Sequence, residues 1–400
     1  MRPAVCLALG LFFLSLPGFA APPAPRAPAP DPPGALKAPD ASSTKTAAHK
    51  TQAPDQEWTF HKTPDGLHPD GNEQALLWLL NRARSDPHAE GQWLADTGDP
   101  DVEAAMDYFE VDRDLLRQEF DALPARPPAA FDVRLWSASL AHTEYLIADP
   151  AAAYSPHDGQ LARVDEAGFD YTAWSGIVYS YAEGIVYAHA GFNIDWGPSD
   201  DDSGMQPGRG HRVALMDLNT ALDRGLTNAG LAVVPESDPE SEVGPLVVAG
   251  NFCQADPYSQ NVFDRFLVGT VWEDENNNAM YDPGEGVSGV SVTPDHGAYY
   301  AVTGAAGGFA VPMEAAGDYV LVFSGGPLPR DIRRAAAVGT ASVLMDFRLD
   351  LAAGDVNLDG RVDVADLVAA LRTLAGLPGA AAAVGPETPA YILQALAGLR

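Results

Sequence analysis

The spacing of apolar residues changes character along this chain, and no single fold accommodates all of it. Residues 72–148 carry apolar side chains at helical spacing. Leu76, Leu77, Leu79 and Leu80 line EQALLWLLNRAR, and Leu135, Ala138, His142 and Tyr145 share a face of FDVRLWSASLAHTEYLIA. Asn72 is the expected N-cap of the first helix, and Asp86-Pro87 its end. Residues 150–215 read as loop with short helices and many aromatics. Residues 229–252 alternate towards strand, as AGLAVVPE and PLVVAGNFC. Helices followed by strands predict an α+β domain over 66–262. Residues 265–350 then break into short β-type runs, among them FLVGTVW, GVSVTP and DYVLVF, separated by Gly, Pro and Asp turns. That is the pattern of a small β-sandwich. Residues 354–400 return to helix, as DLVAALRTLAGL and TPAYILQALAGL.

What precedes these modules reads as targeting and tether. Arg2, an apolar run from Ala4 to about Leu16, Pro17 and the small residues Gly18, Ala20 and Ala21 form the three-part plan of a secretory signal peptide over 1–21. Residues 22–65 are Pro/Ala-rich and predict a disordered linker, with order beginning near Trp58 to Leu67. The expected location is extracellular or at the cell surface, with no transmembrane segment. Removal of the leader takes Cys6 and leaves Cys253 alone, so the mature chain has no internal disulfide. Its stability then rests on core size or bound metal.

Charge narrows the partners. The net charge is −31, and the lysines are Lys37, Lys45, Lys50 and Lys62, so the body beyond the linker is acidic and lysine-free. Such a chain lacks the basic face that a nucleic-acid backbone requires. It suits divalent cations.

Two segments have calcium-loop spacing. Asp355, Asn357, Asp359, Asp363 and Asp366 fall at positions 1, 3, 5, 9 and 12 of a loop with Gly360 at position 6; the Arg361 carbonyl adds a further oxygen. Asp274, Asn276, Asn278, Asp282 and Glu285 repeat that row, with the Met280 carbonyl, but Ala279 stands at position 6. GDVNLDGRVDVADLVAALR resembles a dockerin type I repeat, and the resemblance covers 354–400. It implies docking, through helices, onto a cohesin-like or cell-surface partner. The second half, PETPAYILQALAGLR, keeps a helix but no ligand row. GTVWEDENNNAMYDPGEGVSGVSV with the following runs resembles an Sdr-type B repeat over 265–350, a calcium-bound β-sandwich spacer.

In the large domain, His157 in SPHDG and His211 in GRGHR flank Glu183 in YAEGI. Two histidines and carboxylates are zinc-type donors, but separations of 26 and 28 residues form no local ligand motif. In order, LWLLNRARSDP, FDVRLWSASLAHTEYLIA, SPHDGQLARVDEAGFDY, YAEGIVYA, GRGHRVALMD and NAGLAVV resemble a bacterial CAP/SCP domain (cysteine-rich secretory protein, antigen, pathogenesis-related). The resemblance covers 70–255 and implies a three-layer α-β-α sandwich with a central cleft. By position it implies His157, His211 and Glu183 as cleft residues, with Asp195 as the second acid. Gly184 stands where the family has asparagine. The family implies a module that binds lipid, a small ligand or a transition metal. The alternative is a metal-dependent extracellular hydrolase in which Glu183 or a bound hydroxide is the base. There is no G-x-S-x-G turn and no H-E-x-x-H.

Overall fold

The computed structural model describes residues 53–400, except 150, 151, 153, 154, 220, 221, 223, 239–242, 329, 350–355, 357–361, 376, 378–387 and 398–400. The expected leader and most of the expected linker lie outside the described residues. The fold is α+β. The first helix is Gly71–Ser85 (α1), and its N-cap is Asp70, not Asn72. The Asp70 carboxylate accepts from the Glu73 N–H at 2.9 Å, while Glu73 Oε2 accepts from the Asp70 N–H at 2.8 Å. This reciprocal capping box satisfies two orphan donors at once, which is why Asp70-x-x-Glu73 wins over Asn72. Helices Pro87–Ala95 (α2), Pro100–Phe109 (α3) and Arg113–Asp121 (α4) follow, each opened by an aspartate N-cap.

A four-stranded sheet organises the large lobe. Its strands are Ala130–Phe131 (β2), Tyr171–Ala182 (β3), Asn228–Pro235 (β4) and Leu246–Ala255 (β5), in the order β2-β4-β5-β3. β5 is antiparallel to both β3 and β4, with Leu231 opposite Gly250 and Ile177 opposite the same glycine. Side chains alternate across the sheet. Ile177, Leu231, Val233, Val248 and Phe252 face Leu76, Leu77 and Leu80 of α1 and Phe192 of helix Ile185–Ile194 (α7). The opposite face, with Val247, Ala249, Cys253 and Ala255, packs on Leu135, Ala138 and Leu146 of helix Val133–Ala148 (α5) and Val164 of helix Gln160–Ala167 (α6). Helices therefore cover both faces. Gly230 lets α5 approach: a Cβ there would lie 2.0 Å from the Leu135 carbonyl carbon. Cys253 is buried in this core, and burial pushes its thiol pKa up.

β3 is a correction to the sequence reading, which places loop and short helices across 150–215. Its YTAWSGIVYSYA is free of charge and rich in β-branched and aromatic residues, but Gly176 and scattered burial blur the alternation.

The second lobe has two sheets around one core. Strands Phe266–Trp272 (β6), Val290–Pro294 (β7), Tyr299–Val302 (β8), Gly308–Pro312 (β9), Gly317–Gly325 (β10) and Ile332–Val338 (β11) are joined by short strands Val343–Leu344 (β12) and Phe347–Arg348 (β13). β12 and β13 lie successively along β6, which pairs with β9. β8, β7, β10 and β11 form the facing sheet. Leu267, Val271, Val292, Phe309, Leu321, Phe323 and Phe347 fill the space between. β11, IRRAAAV, is not expected from the sequence, because its two arginines and small alanines carry little strand signal.

The end assigned to the linker is fixed earlier than residue 65. Gln56–Glu57 (β1) pairs in parallel with β8, and Trp58 is buried among Phe263, Phe266 and Tyr299. The aromatic payload of Trp58 and Phe60 outweighs the Pro/Ala composition before it. The seam between the lobes is specific. Gln74 Nε2 donates to Thr270 Oγ1 at 2.8 Å, Trp78 meets Trp272 edge-on, and Arg224 pairs with Asp264. Helices Val364–Leu374 (α9) and Thr388–Leu396 (α10) close the described chain and pack on each other, with Ala370 and Ile392 their buried apolar residues. No helix among the described residues is long and apolar enough to cross a membrane.

Candidate functional site

His157 and His211 come together in the large lobe. Their ring centroids are 6.5 Å apart, although a helix, the whole of β3 and α7 lie between them in the chain. His211 sits at the start of helix Gly210–Leu215 (α8), against Phe192. Asp195, the C-cap of α7, is held in the left-handed region at φ 58°. Its Oδ1 accepts from His211 Nδ1 at 2.8 Å, and its Oδ2 accepts from the His211 backbone N–H at 3.1 Å. Asp195 is 1% exposed, so this carboxylate is committed to His211. The flanking arginines fix the same turn. Arg209 grips Glu119 of α4 through two nitrogens, and buried Arg212 donates to Glu119 and to the Asn193 and Ile194 carbonyls.

On the other side, His157 Nδ1 lies 2.9 Å from Gln160 Oε1. Burial lowers the His157 pKa, against the opposing effect of the Gln160 hydrogen bond, and nearby His211 lowers it further. A carboxylate and an amide oxygen only accept, so both imidazoles carry their proton on Nδ1. In its neutral form each therefore presents an Nε2 lone pair. Neither Nε2 has a hydrogen-bond partner among the described residues. Glu183 is not drawn in. It is exposed at the junction of β3 and α7, with no hydrogen bond to either histidine.

Two further clusters escape the sequence reading. Glu90 of α2 is buried and accepts from Arg82 Nε at 2.8 Å and from His189 Nε2 at 2.8 Å. Burial lowers the pKa of His189, which is fully enclosed. Arg82 stacks on Trp93, its guanidinium carbon 4.1 Å from the ring centroid. Together with Asn81, which bonds Ala129 through both ends of its amide, and Arg84, which donates to the Leu215 and Leu226 carbonyls, this accounts for NRAR as a structural element. His68, Asp70 and Glu73 are the one group of three such residues, among those described, whose ligand atoms lie within 4.8 Å of one another. Glu73 is taken by the capping box, by His68 Nδ1 and by Trp136 Nε1, so these lone pairs serve α1. The D-x-x-E spacing is the sequence signal for it.

The two rows expected to bind calcium divide. Asp355, Asn357, Asp359 and Arg361 lie outside the described residues. Asp363 and Asp366 form a capping box at α9. In the other row, Asp274 accepts from the Asn278 and Ala279 N–H groups, Asn276 Oδ1 from Asn278, and Asn278 Oδ1 from Met280. Glu285 accepts from the Glu275 and Asp282 N–H groups, and Asp282 Oδ2 accepts from the Asn276 and Asn278 amides. Ala279 is left-handed at φ 61°, the conformation its position demands. The donor set is all oxygen, which suits a hard cation. Arg348 Nη1 reaches Asp274 Oδ2 at 3.1 Å, so a cation already stands at the rim.

No protein-family model matches the chain, and no curated protein matches it significantly.

Proposed function

We propose that this is an exported, multi-module binding protein. In this reading a CAP/SCP-type α-β-α domain is carried on an Sdr-B-like calcium sandwich and a dockerin-like C-terminal module. Its site is the His157–His211 pair, which takes a divalent transition metal or a ligand held through one. The observation that carries the reading is the matched pair of Nδ1-protonated imidazoles with free Nε2 lone pairs. Imidazole suits zinc, copper, nickel and cobalt, and two protein donors leave positions open for a ligand's own atoms.

Binding is favoured over hydrolysis by the carboxylates. A hydrolase needs a base within hydrogen-bond reach of the attacking water. Asp195 is spent on His211, and Glu183 bonds neither histidine. Calcium in the rows Asp274–Glu285 and Asp355–Asp366 would offset part of the −31 charge. At the C-terminus, Val364, Val368, Leu371 and Leu374 leave an apolar stripe of α9 exposed at helical spacing, beside Leu393 and Leu396 of α10. That stripe supports docking to a cohesin-like or cell-surface partner.

The test is a Co²⁺ titration of the calcium-loaded protein, read by visible absorption. The expected result is a saturable one-site band that His157→Ala and His211→Ala abolish. Equal binding by both variants would sink the reading. Turnover of lipid, peptide or glycan substrates that disappears in His211→Ala would transfer the site to the hydrolase class.

A further inference from the structure

Gln160 is fully buried at the first position of α6, in the middle of the large lobe. Its Nε2 donates to the Ile177 carbonyl at 3.3 Å and the Gly250 carbonyl at 3.1 Å. Two carbonyls can be met only by the NH₂ end of an amide, so the sheet itself sets which way Gln160 points. Its Oε1 is thereby turned to His157 Nδ1. The sheet also makes room for it. A Cβ at Gly176 would lie 2.5 Å from Gln160 Oε1 and 2.7 Å from its Cδ. The notch in β3 is thus shaped to seat this amide.

This arrangement is not required for folding alone. Glycine inside a strand weakens it, and a buried amide gains little over a well-packed apolar residue. Its distinct product is a histidine held in one tautomer and one ring plane. Asp195 does the same for His211 from the other side.

We propose that Gln160, seated in the Gly176 notch, is the positioning residue of the His157–His211 centre: it fixes His157 as the Nδ1–H tautomer and aims its Nε2 lone pair. The proposal rests on the reading of that pair as a metal-binding site, where partners of metal-bound histidines set orientation and affinity.

Two measurements on the full chain test it. The first is the tautomer of His157 in the metal-free wild type, from long-range ¹H–¹⁵N correlation of ¹⁵N-histidine-labelled protein with His157→Ala for assignment. An Nδ1–H imidazole supports the proposal, and an Nε2–H imidazole overturns it. The second is Co²⁺ affinity in Gln160→Met, a variant of similar length and no amide. A loss of about tenfold to a hundredfold in protein that is folded by circular dichroism supports it. Unchanged affinity overturns it. If Gln160→Met fails to fold, the wild-type tautomer decides. Absence of Co²⁺ binding in the wild type removes the metal reading instead, and the tautomer measurement then decides whether Gln160 fixes His157.

Discussion

Asp195 and Glu90 are both buried carboxylates on histidines, and their surroundings give them different work. Asp195 spans one residue, taking the backbone and ring of His211, so Asp195→Ala frees a ring without stranding a charge. The expected outcome is Co²⁺ affinity about tenfold to a hundredfold weaker, measured by titration, with the secondary structure intact by circular dichroism. Glu90 instead balances Arg82, whose side chain is three-quarters enclosed. Removing it leaves a largely buried guanidinium uncompensated. Glu90→Ala should therefore lose about 3 kcal/mol in urea unfolding, the low end for breaking a buried pair. A loss below about 1 kcal/mol would show that water replaces the carboxylate. His142 supplies a pH dependence. Its Nε2 donates to the Pro156 carbonyl, and burial holds its pKa down at about 4. The folded protein thus keeps it neutral where the unfolded chain begins to protonate near 6.5. Stability contributed this way is full above about pH 6.5 and falls as pH drops towards 4, by about 1.4 kcal/mol per unit. The slope of unfolding free energy against pH should flatten by that amount in His142→Gln; an unchanged slope between pH 6 and 5 would remove His142 as its source.

At the scale of elements, what the sequence reveals follows from how each element buries itself. β4 and β5 are buried along almost their whole length, so they show as near-continuous runs of Val, Leu and Ala in NAGLAVVP and LVVAGNFC. β3 is hidden because its glycine serves Gln160 and its aromatics line a partly open face. His157 and His211 are visible as Gly-flanked loop residues, and Asp195 as a nearby acid. Gln160 is not visible, because a glutamine at a helix start carries no chemical signal until the two carbonyls facing it are known. Glu183 gains weight in the sequence by position alone, and the fold leaves it in solvent. Gly230 shows the reverse case, a glycine whose role emerges only when α5 is in place. Gly230→Ala would drive a methyl group into the backbone of Leu135 and Trp136. Backbone cannot give way as a side chain can, so the expected loss is about 3 kcal/mol, the upper range for overpacking, measured by thermal or urea unfolding. A loss under about 0.5 kcal/mol would mean that α5 moves freely against β4.

For the whole molecule, the loop 274–285, the proposed calcium site, is also part of the seam between lobes. Tyr281 is buried and Met280 half-buried against Ala75, Trp78 and Leu79 of α1 and Trp272 of β6. Pro283 abuts the start of α1, 3.0 Å from where a Cβ on Gly71 would lie. A cation bound by residues 274–285 would therefore stabilise a surface on which the large lobe rests. At a free calcium concentration of 100 times Kd, binding adds about 2.7 kcal/mol to the folded state. If the seam transmits this, chelation lowers the melting of both lobes together, and the near-ultraviolet signal of Trp78 and Trp272 changes at the same temperature as the far-ultraviolet signal. Tyr281→Ala cuts the contact and not the ligand row. It should split the transition, leaving calcium to shift only the β lobe. A single transition that still responds as one unit to calcium in Tyr281→Ala would place the coupling elsewhere, in Gln74–Thr270 or the Trp58 cluster, both of which cross the same boundary.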